Sequence, residues 1–115
     1  MNKVCLWEIL VPTERRKKAA DGSTRYYTTR YHRVWDSKVR AITGGLTILP
    51  PTKGQWKAPS GDLYRERMIP VRIACTEIQI DEIADMSAEY YDQLAIFYYK
   101  VSEEVHIKNY DRDSK

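Results

Sequence analysis

The chain switches between two hydrophobic periods, and the switches outline six elements. Val4-Cys5-Leu6-Trp7-Glu8-Ile9-Leu10-Val11 is a short apolar run and predicts a strand. A helix is predicted from Thr28 or Thr29, either of which can serve as N-cap. Tyr31, Val34, Trp35, Ala41 and Ile42 mark its apolar face. Gly44-Gly45 stops it, because glycine takes the left-handed position after a helix without steric cost. Residues 46–49 begin a second strand, which Pro50-Pro51 interrupts; such a proline pair belongs at an edge, a bulge or a strand end. Residues 63–76 predict a long third strand. Ile69, Val71, Ile73 and Cys75 fall on one face, and Tyr64, Glu66, Met68, Pro70, Arg72 and Ala74 on the other. Thr76 and Gln79 form a capping box at the start of a second helix. Ile80, Ile83, Ala84, Ala88 and Tyr91 are its buried stripe, and Asp81, Glu82, Asp85, Glu89 and Asp92 its solvated face. Residues 95–101 are the last strand, and Val105-His106-Ile107 suggests a short extra one.

The resulting order, β-α-β-β-α-β, predicts an α+β domain of the ferredoxin-like kind. Its antiparallel sheet has four strands, with two helices on one face. Residues 1–108 form this single domain, and 109–115 are a polar, flexible tail. Between the first strand and the first helix lies Glu14-Arg15-Arg16-Lys17-Lys18, then Asp21-Gly22 turn chemistry, which reads as a mobile loop. The sheet face without helices carries Tyr64, Met68 and Pro70, and from the last strand either Phe97, Tyr99 and Val101 or their alternates. So apolar a face argues for self-association.

Charge adds an asymmetry. Residues 13–40 hold nine Lys and Arg against three Asp and Glu; residues 76–115 hold four against ten. The whole chain carries only +3, and its acidic second half argues against nucleic acid as partner. The 115 residues are 43% apolar and 30% charged, an ordinary balance for one domain. Nine Tyr and three Trp accompany a single Phe, and such rings suit ligand walls as well as cores. Cys5 and Cys75 both sit in strand-like runs and read as reduced, buried thiols of a cytoplasmic protein. Neither they nor His32 and His106 have the spacing of a metal site, and no cofactor is implied. Both histidines read as surface residues. No membrane-spanning run or signal peptide is visible from Met1-Asn2-Lys3 onward.

No Ser-His-Asp or Cys-His arrangement and no phosphate-cradling glycine motif is present in the sequence. The cluster with chemical content spans the hairpin between the second and third strands: Trp56, Lys57, Tyr64, Arg65, Glu66 and Arg67. Trp56 offers a stacking surface. Lys57, Arg65 and Arg67 offer cations for phosphate or carboxylate. Glu66 accepts hydrogen bonds from an amino group or a ribose hydroxyl. Together they fit a nucleotide-derived small molecule.

Gly44-Gly45-Leu46-Thr47, Gly54-x-Trp56, a Glu before a strand and Leu94-Ala95-Ile96-Phe97-Tyr98-Tyr99 resemble small phage and bacterial proteins. More distantly, Gly54-x-Trp56, Glu66, Val71-Arg72-Ile73-Ala74-Cys75 and the final Tyr99-Lys100 resemble the phage S-adenosylmethionine lyases. The resemblance covers residues 44–101. It implies a PII-like trimer with an adenosine-type ligand bound between subunits. It also implies that the lyase tyrosine and glutamate correspond to Trp56 and Glu66, although Trp56 lacks the hydroxyl. The leading expectation is a phage-type protein, in the host cytoplasm, that sequesters a nucleotide immune signal as an anti-defence device. The alternatives are a lyase with Glu66 as its catalytic residue, and an inhibitor that binds a host protein.

Overall fold

The computed structural model describes residues 3–112. The elements run β1 (Val4–Pro12), α1 (Thr29–Thr43), β2 (Thr47–Ile48), β3 (Thr52–Lys57), β4 (Leu63–Thr76), α2 (Glu77–Tyr90) and β5 (Tyr98–Ser102). All strand pairs are antiparallel, and β1 and β4 form the centre of the sheet. β5 flanks β1, while β2 and β3 lie one after the other along the outer side of β4. The sheet therefore has five strands in four lanes. The split follows from Pro50-Pro51. A proline cannot donate to the ladder, so pairing stops after Ile48 opposite Val71 and resumes, slipped by one residue, at Thr52 opposite Met68.

The chain has the ferredoxin-like, PII-like α+β fold. α1 starts at the Thr28 cap, whose hydroxyl accepts from Tyr31 N, and ends at Gly44 with φ 90°. α2 starts with the full capping box of Thr76 and Gln79. The core lies between helices and sheet: Cys5, Trp7, Ile9 and Val11 of β1 meet Val71, Ile73 and Cys75 of β4 under Trp35, Val39, Ile80, Ile83 and Tyr91.

Several expectations are corrected. On α1, Val34 and Ala41 are exposed, and the buried positions are Trp35 and Val39. On α2, Ser87 is fully buried, while Ala88 is only half-buried. The last strand begins three residues later than expected, at Tyr98, and residues 105–107 form no strand. Residues 13–27 are not a free loop. Glu14 bridges Tyr26, Arg15 N donates to Arg25 O at 2.7 Å, and Tyr27 N donates to Thr13 O at 3.0 Å. Arg16 clamps Asp92 through three hydrogen bonds of 3.1 Å, two to its carboxylate and one to its backbone carbonyl. Residues 113–115 of the expected tail, and Met1 and Asn2, lie outside the described residues.

His32 is half-buried rather than at the surface, with Nδ1 at 2.7 Å from the Tyr91 hydroxyl. Burial, partly offset by Asp36, pushes its pKa down. It belongs to an aromatic cluster in which Tyr27, Tyr31, Tyr90 and Tyr91 pack edge-on, tilted or stacked, with ring centroids 4.2–5.7 Å apart. This cluster ties the start of α1 to the end of α2 and absorbs four of the nine tyrosines.

Candidate functional site

β4 is longer than its central partner. Pairing with β1 ends at Pro12 opposite Met68, but β4 extends back to Leu63, supported there only by β3. Residues 63–67 thus keep one edge without a strand partner among the described residues. The Thr13 hydroxyl donates to Arg67 O at 2.7 Å, and the chain then swings away into the 13–27 segment. The notch between that segment and β4 is a cavity of about 280 Å³. Pro12, Glu14, Arg15, Arg16 and Lys18 line it on one side, Tyr64, Arg65, Glu66, Arg67 and Met68 on the other, and Gln93 closes an end.

Strand alternation sorts its chemistry. Tyr64, Glu66 and Met68 share the face of Trp56, because Trp56 pairs with Tyr64 and Gly54 with Glu66. Arg65 and Arg67, with Lys53 and Lys57, take the opposite face. The expected cluster is thus divided between two faces. Tyr64, Arg65, Glu66 and Arg67 come together only at the notch, where both faces meet the open edge. Trp56 does not line the cavity; it stacks on Tyr64 at 4.8 Å and 18°, half-exposed behind it. Lys57 sits at the hairpin tip opposite Leu63, away from the cavity.

Glu66 titrates above its ordinary range, first because it is desolvated and second because Glu14 lies near. Both causes favour the protonated form of the Glu66 carboxyl relative to an ordinary glutamate. The cations differ in freedom. The Arg15 guanidinium sits 4.4 Å from the Tyr27 ring centroid and 5.3 Å from that of Tyr31. Arg16 is held by Asp92, and Lys18 donates to Thr24 Oγ1 at 3.0 Å. Among the described residues, Arg65 and Arg67 have no ion-pair partner.

Glu14, Arg15, Arg16, Lys18 and Gln93 were not foreseen as site residues. The signal available was the basic run itself, which is adjacent in space to β4 only because β1 stops early. A second constellation also escaped the sequence. On the sheet face without helices, Glu8 is buried, with Arg72 Nε donating to its Oε1 at 2.9 Å and the Tyr99 hydroxyl donating to its Oε2. Burial opposes the Glu8 charge, but the bonds from Tyr99 and Arg72 outweigh it, so its pKa is lowered. Among the described residues no cluster of three or more His, Cys, Asp or Glu side chains is placed to hold a metal, and no helix is long and apolar enough to cross a membrane.

No family model matches the chain, and a comparison with curated proteins gives no match. Solved structures do. A phage S-adenosylmethionine lyase in complex with S-methyl-5′-thioadenosine superimposes with a TM-score of 0.62 at 14% identity, over 90% of this chain and 84% of that one. The divalent cation tolerance protein Cut A1 of Thermus thermophilus gives 0.60 at 10% identity, over 95% and 88%. CutA of Synechococcus elongatus gives 0.56 at 13%, over 86% and 75%. At these identities the likeness is one of fold.

Proposed function

We propose that the chain binds an adenosine- or nucleotide-type small molecule in the notch beside β4, and that it acts by sequestering it. The observation that carries this reading is the meeting, at one unpaired strand edge, of a raised-pKa carboxylate, two free guanidinium groups and an exposed aromatic stack. Glu66 and Glu14 accept hydrogen bonds from amino or hydroxyl groups. Arg65 and Arg67 meet phosphate. The edge itself offers backbone N–H and C=O groups to a base. Trp56 supports Tyr64 as a stacking wall. The cavity is at the small end of ligand pockets, which run from about 300 Å³ upward, so it suits one nucleoside-sized moiety or part of a larger one.

The similarity to a lyase holding S-methyl-5′-thioadenosine supports the adenosine class of ligand. It also favours a second reading, cleavage of S-adenosylmethionine with Glu66 as the catalytic group. Against that stands Trp56, without a hydroxyl, at the position where the resemblance asks for one. The sheet face without helices exposes Phe97 and Tyr99 and buries Glu8 against Arg72, and we assign it to contact between copies in a trimer. A phage origin and an anti-defence role, acting on a host immune nucleotide in the cytoplasm, complete the proposal.

The test is to incubate the protein with host extract, recover it, denature it by heat and identify the released small molecules by mass spectrometry. Intact nucleotide released by the parent and not by Arg67→Ala supports sequestration. Loss of added S-adenosylmethionine, abolished in Glu66→Gln, supports the enzyme. Release of nothing contradicts both and favours the protein-binding alternative.

A further inference from the structure

The chain's only two cysteines face each other. Cys5 of β1 and Cys75 of β4 are direct cross-strand partners in the antiparallel ladder, so their side chains leave the sheet on the same side. Both are free and buried. Directly opposed residues in such a ladder have Cα atoms about 4.5–5.5 Å apart. A disulfide needs about 4.4–6.8 Å, so the bond can close without moving the strands apart.

We propose that Cys5 and Cys75 are a dithiol–disulfide redox pair that, on exchange with a low-molecular-weight disulfide, staples the two central strands of the sheet. The chemistry balances in two steps. The Cys5 thiolate attacks one sulfur of the small disulfide, forming a mixed disulfide and expelling one small thiolate. The Cys75 thiolate then attacks Cys5 Sγ, forming the protein disulfide and expelling the second. Two protein thiols are oxidised, one small disulfide is reduced to two thiols, and the two thiol protons pass to the expelled thiolates.

The position explains how a buried pair is reached. Cys5 and Cys75 lie one pair from the end of the β1–β4 ladder, where only Val4 opposite Thr76 remains, and Val4 is 44% exposed. Fraying of that last pair bares Cys5, and ladder ends open at low cost compared with global unfolding. The Cys75 thiol is harder to ionise: burial, with Cys5 beside it, pushes its pKa up to about 11. Closure of the protein disulfide is therefore slow at neutral pH and accelerates as pH rises toward that value. The pair would respond to sustained oxidation rather than to a brief pulse. The staple would close a loop of most of the chain, which raises stability mainly by restricting the unfolded state.

The test uses the full chain and oxidised glutathione. After incubation at pH 8.5 the protein is denatured in acid, alkylated and weighed by mass spectrometry. The expected product has lost two hydrogen masses, takes no alkyl group, stays monomeric on a non-reducing denaturing gel, and melts about 10 °C higher than the reduced form. The Cys75→Ser variant should instead stop at the glutathione adduct of Cys5. Two alkylated thiols, a stable glutathione adduct on the parent chain, or disulfide-linked dimers would each overturn the proposal. Should Cys75→Ser fail to fold, the parent chain oxidised while unfolded in urea and then refolded gives a second reading. Recovery of the native circular dichroism spectrum with the disulfide intact supports the geometry, and failure to refold until a reductant is added refutes it.

Discussion

Ser87 is a small residue in a costly place. Its hydroxyl accepts from Trp35 Nε1 at 2.8 Å and donates to Ile83 O at 2.6 Å, both in the core. Ser87→Ala removes one oxygen but leaves a buried indole N–H without an acceptor, which costs about 1–3 kcal/mol. Urea unfolding of this variant should show that loss with an unchanged m-value. Glu8 makes the corresponding pH prediction. Its folded carboxyl titrates below the ordinary 4.5, so its contribution to stability is present above that value and is lost as pH falls through the lower folded one. Arg72→Met should therefore cost about 2 kcal/mol at pH 7, the range of a hydrogen bond to a charged group. The cost should shrink in urea titrations as pH falls through the lowered folded value, where the parent's carboxyl also takes a proton and the pair is lost in both proteins. Neither residue was legible in the sequence. Ser87 reads as one more polar position on an acidic helix, and the partners of Glu8 lie 64 and 91 residues away.

At the scale of elements, punctuation was legible and partnership was not. Thr28, Gly44 and the Thr76–Gln79 box mark helix ends by local chemistry, and the structure uses all of them. Thr76→Ala should cost about 1 kcal/mol, the usual worth of an N-cap, and lower the melting temperature by roughly 4 °C. Pro50-Pro51 announced an interruption, but only the one-residue slip in register along β4 shows that two strands share a lane. Alternation along β4 is plain in the sequence, yet it does not locate the site. It places Arg65 and Arg67 opposite Glu66, and they come together only because β1 ends at Pro12 and leaves an edge open. Where a neighbouring strand stops is a tertiary fact, set by the departure of residues 13–27 and by Arg16 holding Asp92. That clamp is half-exposed and of small energetic worth, so Arg16→Ala, which leaves the left-handed Asp92 (φ 49°) untouched, should leave stability nearly unchanged while loosening the notch wall. Amide hydrogen exchange at residues 14–18 would detect it as faster exchange there and nowhere in the core.

The whole molecule is elongated, 59 × 32 × 22 Å, and the β3–β4 hairpin runs on past the end of β1. Helices cover one sheet face; the other presents Phe97 and Tyr99 around the buried Glu8. Phe97 is 62% exposed, so Phe97→Glu costs little in a monomer. In sedimentation velocity it should shift the protein to monomer if this face joins copies. An unchanged sedimentation coefficient for an oligomeric parent would place the contact elsewhere. Ligand capture at the notch can be read by calorimetric titration of the parent chain and of Arg67→Ala with adenosine monophosphate and S-adenosylmethionine. Saturable binding of at least one of them by the parent is expected, weakened tenfold or more in the variant, an amount equal to about 1.4 kcal/mol. No heat of binding with either compound, or equal affinity in parent and variant, would contradict it.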